Sequence, residues 1–270
     1  MMKDKRTFIL GLGNQRCGTS WLHKYLCQSN KFAEGFTKEF HVWDRRDLKL
    51  FSNKKTHLSL RTLISPKRYQ RYRIENSDDY YFSYFDKLMG REKVISADIT
   101  PSYSGLKARR LEYLKKKFSE KNIDTKVVIL VREPLSRIKS AVRFNLDRGN
   151  YSESIKLNET DFESALTQYY KTEHCSIRTR YENIISEAES VFPSDSMYIS
   201  FYENMFEKSE IERLSKFLQI EPKFEFAKVK INQIRNVVSD TNVDLKVKAY
   251  YADTYDYFYK NFEISNELWK

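Results

Sequence analysis

Short apolar runs separated by helical repeats set the pattern of this chain. Residues 8–10 (Phe-Ile-Leu), 94–98, 127–131 and 197–201 read as strands, and 31–36 as a further short one. The run 127–131 is apolar at every position, as in a central parallel strand covered on both faces. Between the runs, apolar residues return at helical spacing. Trp21, Leu22, Tyr25 and Leu26 mark one stripe; Leu135, Ile138 and Val142, just after Pro134, mark another. Further helices are expected over 78–88, 104–120, 161–171, 176–191 and 209–218, with a Tyr-rich closing helix over 244–262. The expectation is a single α/β domain spanning 1–270, a P-loop-like three-layer fold whose mainly parallel sheet is flanked by helices. A basic stretch over 45–93, with Pro66, Arg68, Arg71 and Arg73, reads as an insertion shaping an acceptor cleft.

The most informative stretch is 8–26. After the first strand, Gly11 and Gly13 open a loop, residues 14–17 cross it, and Gly18, Thr19 and Ser20 lead into a helix. Strand, glycine loop and helix N-terminus together form an anion site, because free backbone N–H groups and the positive dipole end point at one place. The spacing from Gly13 is that of a P-loop, yet Thr19 stands where a nucleotide triphosphatase carries its lysine. Arg16 lies inside the loop instead, which suggests a cradle for an anion other than a triphosphate. A tight turn serving only strand–helix packing is the plainer alternative.

Two further places carry candidate chemistry. Glu39 and His41 lie two apart, so in an extended segment both project to one side, and either is a candidate to take a proton from a substrate. Arg132 stands at the C-terminal tip of the run 127–131, with Ser136 and Ser140 on the following helix. That pairing of guanidinium and hydroxyls suits a second phosphate. The turn 100–103 follows another strand end, where ligands of open α/β sheets gather.

Composition narrows the field modestly. The 270 residues carry 48 Lys and Arg against 37 Asp and Glu, a net charge of +11 that favours an anionic ligand. The basic residues are spread and interleaved with acids rather than gathered in an arm, so nucleic acid is not expected as the partner. Cys17, Cys27 and Cys175 are scattered, with no C-x-x-C pair, and suggest neither a disulfide framework nor a zinc site. No apolar run approaches a signal peptide or membrane span, so a soluble, cytoplasmic protein is expected.

Taken together, these motifs resemble those of the sulfotransferases that use 3′-phosphoadenosine 5′-phosphosulfate (PAPS). Residues 15–21, Q-R-C-G-T-S-W, resemble the 5′-phosphosulfate loop, usually P-K-S-G-T-T-W or K-x-G-T-T. Residues 132–140 resemble the 3′-phosphate motif R-x-P-x-x-R-x-x-S. K-E-F-H at 38–41 is similar to the K-E-x-H segment of the carbohydrate (heparan-sulfate-like) branch, and T-P-S-Y at 100–103 to its T-P-x-Y turn. Y-E-N at 202–204 with F-L at 217–218 resembles the family's Y-E-D-L…F-L segment. The matches follow family order from about residue 8 to about residue 218.

The resemblance implies roles. Arg16, Cys17, Gly18, Thr19 and Ser20 would form the 5′-phosphosulfate loop, with Trp21 at a position where some members stack on adenine and a core role is equally open. Arg132 and Ser140 would hold the 3′-phosphate, with Arg235 the candidate for a missing R-K-G match. Glu39 would be the general base, Lys38 would stabilise the transferring group, and no metal is implied. His41 remains the alternative base, since the cytosolic branch uses a histidine; the K-E-x-H frame favours Glu39. The lysine that often precedes T-P-x-Y is absent, with Asp98 and Ile99 in its place. The acceptor would be a hydroxyl or amine, on a glycan by the K-E-x-H likeness. The competing readings are a P-loop kinase or hydrolase, disfavoured by Thr19 and Arg132, a non-catalytic anion- or nucleic-acid-binding protein, and a donor-binding pseudoenzyme.

Overall fold

The computed structural model describes residues 5–54, 56–149, 153, 161–229 and 240–270. Its centre is a four-stranded sheet in the order β2-β1-β3-β4, built from β1 (Arg6–Gly11), β2 (Ile95–Ile99), β3 (Ile123–Val131) and β4 (Met197–Phe201). Every pairing is parallel. All four strands therefore end on one edge of the sheet, and the loops that leave them converge there.

The apolar runs form these strands because both sheet faces are covered. Val127, Val128, Ile129 and Val131 are fully buried, as the uninterrupted run requires. Phe8 of β1 stacks on Phe118 with centroids 4.0 Å apart and meets Phe85 edge-on at 4.7 Å. These partners come from two helices on one face, α5 (Ala108–Ser119) and α4 (Asp78–Leu88). The helices α1 (Thr19–Leu26), α2 (Trp43–Asp47), α3 (Pro66–Asn76) and α6 (Pro134–Asp147) supply residues at or beside the strand ends.

Four expected elements differ. The helix expected over 176–191 runs Tyr181–Glu189, after a separate short helix Glu173–Ser176. Residues 31–36 contribute only an isolated bridge, Phe32 to Ile95, with Ile95 N–H on the Lys31 carbonyl at 3.0 Å. Ala33 N–H still reaches the Ile95 carbonyl at 2.7 Å, but Phe36 N–H is taken by the Tyr84 hydroxyl at 2.9 Å instead of by β2, so the ladder does not extend. The helix expected from 104 begins at Ala108, because Pro101–Gly105 forms a separate 3₁₀ turn. The closing helix is two, Thr241–Tyr250 and Ala252–Asn261, broken at Tyr251. There the buried Tyr251 hydroxyl donates to the Tyr170 carbonyl at 2.7 Å. Among the described residues, no helix is long and apolar enough to cross a membrane.

Candidate active site

The loop after β1 is hung on β3. Leu12 N–H donates to the Val128 carbonyl at 3.0 Å, and Asn14 N–H to that of Leu130 at 3.1 Å. Gly18 then takes φ +94° and caps α1 without a side chain. A Cβ there would meet the Met205 sulfur at 2.5 Å. The positive φ demands glycine, a Cβ would also push the flexible Met205 side chain aside, and the turn brings the free N–H groups of α1 to the strand edge. Gly18→Ala is expected to destabilise the fold by about 1–3 kcal/mol, and so to lower Tm by several degrees in scanning calorimetry. An unchanged Tm would mean that the loop relaxes freely.

Arg16 turns toward α6. Its Nε donates to Ser140 Oγ at 3.0 Å, and its guanidinium lies 4.7 Å from the Phe144 ring centre. Arg132 leaves the end of β3, donates to the Arg16 carbonyl at 3.4 Å, and packs its guanidinium 4.4 Å from the Tyr202 ring centre. Burial, then the neighbouring Arg132 and more weakly Arg148, lowers the Arg16 pKa to about 10 despite opposing effects of Tyr202 and Cys17. A half-buried guanidinium crowded by other cations is a place prepared for an anion.

The second wall is the segment from Lys38 to His41, laid along the end of β2. Ile99 N–H donates to the Lys38 carbonyl at 3.0 Å. Phe40 N–H is shared between Thr100 Oγ1 (3.1 Å) and Asp98 Oδ1 (3.3 Å). Asp98, buried, also accepts from the hydroxyls of Thr100 (2.6 Å), Tyr103 (2.8 Å) and Tyr81 (3.0 Å). Burial pushes its carboxyl up to about 6 against these hydrogen bonds. From α3, Arg71 donates to the Glu39 and Phe40 carbonyls at 3.3 and 3.2 Å.

The charged groups on this segment form a chain. Lys38 Nζ reaches Ser20 Oγ (3.2 Å), Thr19 Oγ1 (3.4 Å) and Glu39 Oε1 (2.7 Å). The cation missing from the P-loop position is thus present in space, delivered from another segment. Glu39 Oε2 faces His41 Nε2 at 3.1 Å, and His41 Nδ1 faces Asp44 Oδ2 at 2.7 Å. The Ser102 hydroxyl donates to the same Asp44 oxygen. Burial raises the Glu39 pKa, but the His41 hydrogen bond and Lys38 outweigh it and hold the carboxyl at about 2. Burial lowers the His41 pKa, yet bonds to Asp44 and Glu39 raise it to about 9. At neutral pH the chain is ammonium, carboxylate, imidazolium, carboxylate.

Loop and segment face one cavity of about 420 Å³, lined by Arg16, Thr19, Ser20, Lys38, Glu39 and His41. Ser102, from the turn expected at the site, and Arg45, from the expected insertion, also line it; Asp44, Arg148 and the buried pair Arg178–Glu153, whose N–O separation is 2.6 Å, are not singled out by the sequence. Asp44 lies three residues past His41, but no local spacing ties Arg148, Glu153 or Arg178 to 38–41. Cys17, Gly18, Trp21, Arg132 and Ser140 are not in that lining; Arg132 and Ser140 adjoin it through their bonds to Arg16. Cys17 is buried with its sulfur 3.9 Å from the Tyr181 hydroxyl, and burial pushes its thiol up to about 12. Trp21 is buried against Tyr25 (5.0 Å, nearly coplanar), Phe206 and Phe226, so packing rather than an open stacking face occupies the indole. Arg235 lies outside the described residues. No ligand cluster is evident from the cysteine spacing, yet the fold brings ligand atoms of His23, Cys27 and Glu34 within 4.8 Å of one another, a grouping able to hold a metal ion.

A parallel α/β sheet with a glycine-loop anion cradle, and a carboxylate–imidazolium chain beside it, is an arrangement able to bind an anionic group and move a proton next to it. The sulfotransferase domain model matches residues 4–253, and the chain belongs to that family: it is a sulfotransferase. A sulfotransferase from Alicyclobacillus acidocaldarius superposes with a TM-score of 0.59 at 19% identity, covering 93% of each chain. The sulfotransferase domain of the Synechococcus PCC 7002 olefin synthase aligns at 15% identity and TM-score 0.48, covering 93% of this chain and 98% of that one. That of the curacin biosynthetic pathway aligns at 15% and 0.49, covering 86% and 81%. At these identities the first likeness is one of fold. No curated protein sequence matches the chain.

Proposed function

We propose that the enzyme moves a sulfuryl group from PAPS to an acceptor hydroxyl or amine, with a carbohydrate as the acceptor class. The observation that carries the donor assignment is the contact of Arg16 Nε with Ser140 Oγ at 3.0 Å, beneath Arg132. It joins the two motifs that would hold the 5′-phosphosulfate and the 3′-phosphate, 124 residues apart in sequence. Arg16, Gly18, Thr19 and Ser20 would surround the phosphosulfate, while Arg132 and Ser140 would hold the 3′-phosphate. Cys17 contributes backbone to that loop.

Glu39 is the general base in this reading. Its carboxylate takes the acceptor proton as the acceptor oxygen or nitrogen bonds to sulfur. The bond from sulfur to the bridging oxygen breaks, and adenosine 3′,5′-bisphosphate leaves with the electron pair. Lys38 sits between base and cradle, so moving its ammonium onto the sulfuryl oxygens would free Glu39 and raise its pKa toward a useful value. His41, an imidazolium at neutral pH, has no lone pair to accept a proton, which favours Glu39. Asp44 and Ser102 position His41. The reading treats residues 1–270 as one sulfotransferase unit with 45–93 as its acceptor-side insertion. Arg45 lines the cavity and Arg71 secures the backbone that carries Glu39, as that role requires. The polar lining of Arg45, Arg148, Arg178 and Glu153 suits a hydroxyl-rich acceptor.

Calorimetry with adenosine 3′,5′-bisphosphate, AMP and ATP tests the donor assignment. Selective binding of the bisphosphate is expected; preference for ATP, or no nucleotide binding, would overturn it.

The pH dependence follows from the same groups. With Glu39 at about 2 and His41 at about 9, kcat/KM is expected to be flat from mildly acidic pH to about 8 and to fall through about 9. Neutral imidazole can donate to only one carboxylate, so Glu39 or Asp44 loses its partner. Asp44→Asn should move that limb to lower pH, and a limb that stays in place would remove His41 from the argument. The sign for stability agrees. His41 is raised above its ordinary 6.5, so its contribution is complete below that pH and is lost as pH rises through about 9.

A further inference from the structure

Residues 48–74 carry eight Lys and Arg and no Asp or Glu, a charge block unlike the interleaved remainder of the chain. Within it lies a helical turn built inside out. Ser59 caps Leu60–Leu63 by accepting from Thr62 N–H at 3.2 Å, and Thr62 points inward, 3% exposed, donating to the His57 carbonyl at 2.8 Å. Leu60, Leu63 and Ile64, at i, i+3 and i+4, then share the opposite face, 81%, 53% and 78% exposed. Leu58 and Tyr69 flank them, also exposed. Half of the exposed large apolar side chains among the described residues fall in these twelve positions. Burying a threonine while presenting three aliphatic residues to water reverses ordinary amphipathicity, and a monomer gains nothing from it. Arg61, Lys67 and Arg68 surround the face, exposed and without ion pairs among the described residues.

We infer that this face docks the enzyme on an anionic lipid bilayer. Aliphatic side chains ringed by unpaired cations match the acyl boundary and the negative headgroups above it, and the absence of any carboxylate over 48–74 removes the usual source of repulsion. The face is tied to the cavity wall. Thr56 N–H donates to Glu75 Oε2 at 2.6 Å, and the other oxygen of Glu75 pairs with the cavity residue Arg45. Docking there would set the acceptor cavity beside the lipid surface. The inference does not depend on the donor assignment.

Co-sedimentation with vesicles of phosphatidylcholine alone, or with about one-third phosphatidylglycerol, tests it. Binding to the anionic vesicles is expected to exceed that to the neutral ones by at least about tenfold and to weaken with salt. The triple substitution Leu60→Ser, Leu63→Ser, Ile64→Ser, and separately Lys67→Glu with Arg68→Glu, should each cost about tenfold in vesicle binding. The Tm of both variants in scanning calorimetry should be unchanged, which separates loss of docking from loss of the fold without relying on nucleotide binding. Three results would overturn the inference: no vesicle binding, equal binding to both compositions, or full binding by the triple variant. So would a dimer in light scattering that the triple substitution converts to monomer, since a second copy would then cover the face.

Discussion

Glu39→Gln is expected to lower kcat by about 10²- to 10⁴-fold while changing bisphosphate affinity by no more than about twofold. The substitution keeps size and shape, and the new side-chain amide oxygen can still accept a hydrogen bond from the His41 imidazolium. What disappears is the one carboxylate, among the described residues, that meets both Lys38 and His41 at hydrogen-bonding range in the cavity of the cradle. Among the described residues Glu39 is joined by hydrogen bonds to the loop hydroxyls of Thr19 and Ser20 through Lys38, so nucleotide binding has little reason to change. Single-turnover transfer from radiolabelled donor measures the chemical step directly. Normal turnover would place the base elsewhere, whereas loss of both turnover and nucleotide binding would mean that Lys38 is misplaced without its anionic partner. His41→Gln is the companion: as a positioning residue it should cost less in kcat and should abolish the alkaline limb.

How much of this was legible in the chain depended on the range of the interaction responsible. The run 127–131 announces a buried central strand because covering both faces leaves no polar position to alternate, and the structure buries it throughout. The spacing of Gly13 and Gly18 is equally local, set by positive φ at both. Residues 31–36 have strand-like composition, but only 31–33 reach β2, through a single bridge and its flanking hydrogen bonds. The closing stripe continues past Tyr251 in sequence, while the carbonyl that receives the Tyr251 hydroxyl at the break belongs to Tyr170, far away in the chain. The site divides in the same way. Glu39 and His41 are visible as an i, i+2 pair, but Asp44 and Ser102 join them only because α2 and the turn after β2 fold together, 58 residues apart for Asp44 and Ser102. For the cation absent from position 19 the sequence offers Arg16 within the loop; the second cation, Lys38, which contacts the loop hydroxyls, arrives from another segment.

Arg132→Ala is expected to weaken binding of adenosine 3′,5′-bisphosphate by about 10- to 150-fold, the cost of a lost charge-assisted hydrogen bond, and that of AMP far less. AMP lacks the 3′-phosphate, so the ratio of the two affinities isolates the interaction assigned to Arg132 from its second role. That second role is its bond to the Arg16 carbonyl, which braces the loop and serves both nucleotides alike. Equal weakening of both would therefore assign Arg132 to loop bracing and remove the 3′-phosphate from its duties. Arg132→Lys refines the test, since it keeps a charge but loses the planar fork that can span a phosphate and a carbonyl together. Ser140→Ala probes the opposite side of the same subsite. It frees Arg16 Nε and removes a hydroxyl, so its effect should also fall more heavily on the bisphosphate, by about one neutral hydrogen bond, or several-fold. In the double variant, a coupling between Arg132 and Ser140 that is present with bisphosphate and absent with AMP would place both side chains on one phosphate. Additive losses with either nucleotide would instead mean that the contact of Arg16 with Ser140 organises the loop alone, and the second phosphate would have to be sought elsewhere along the strand edge.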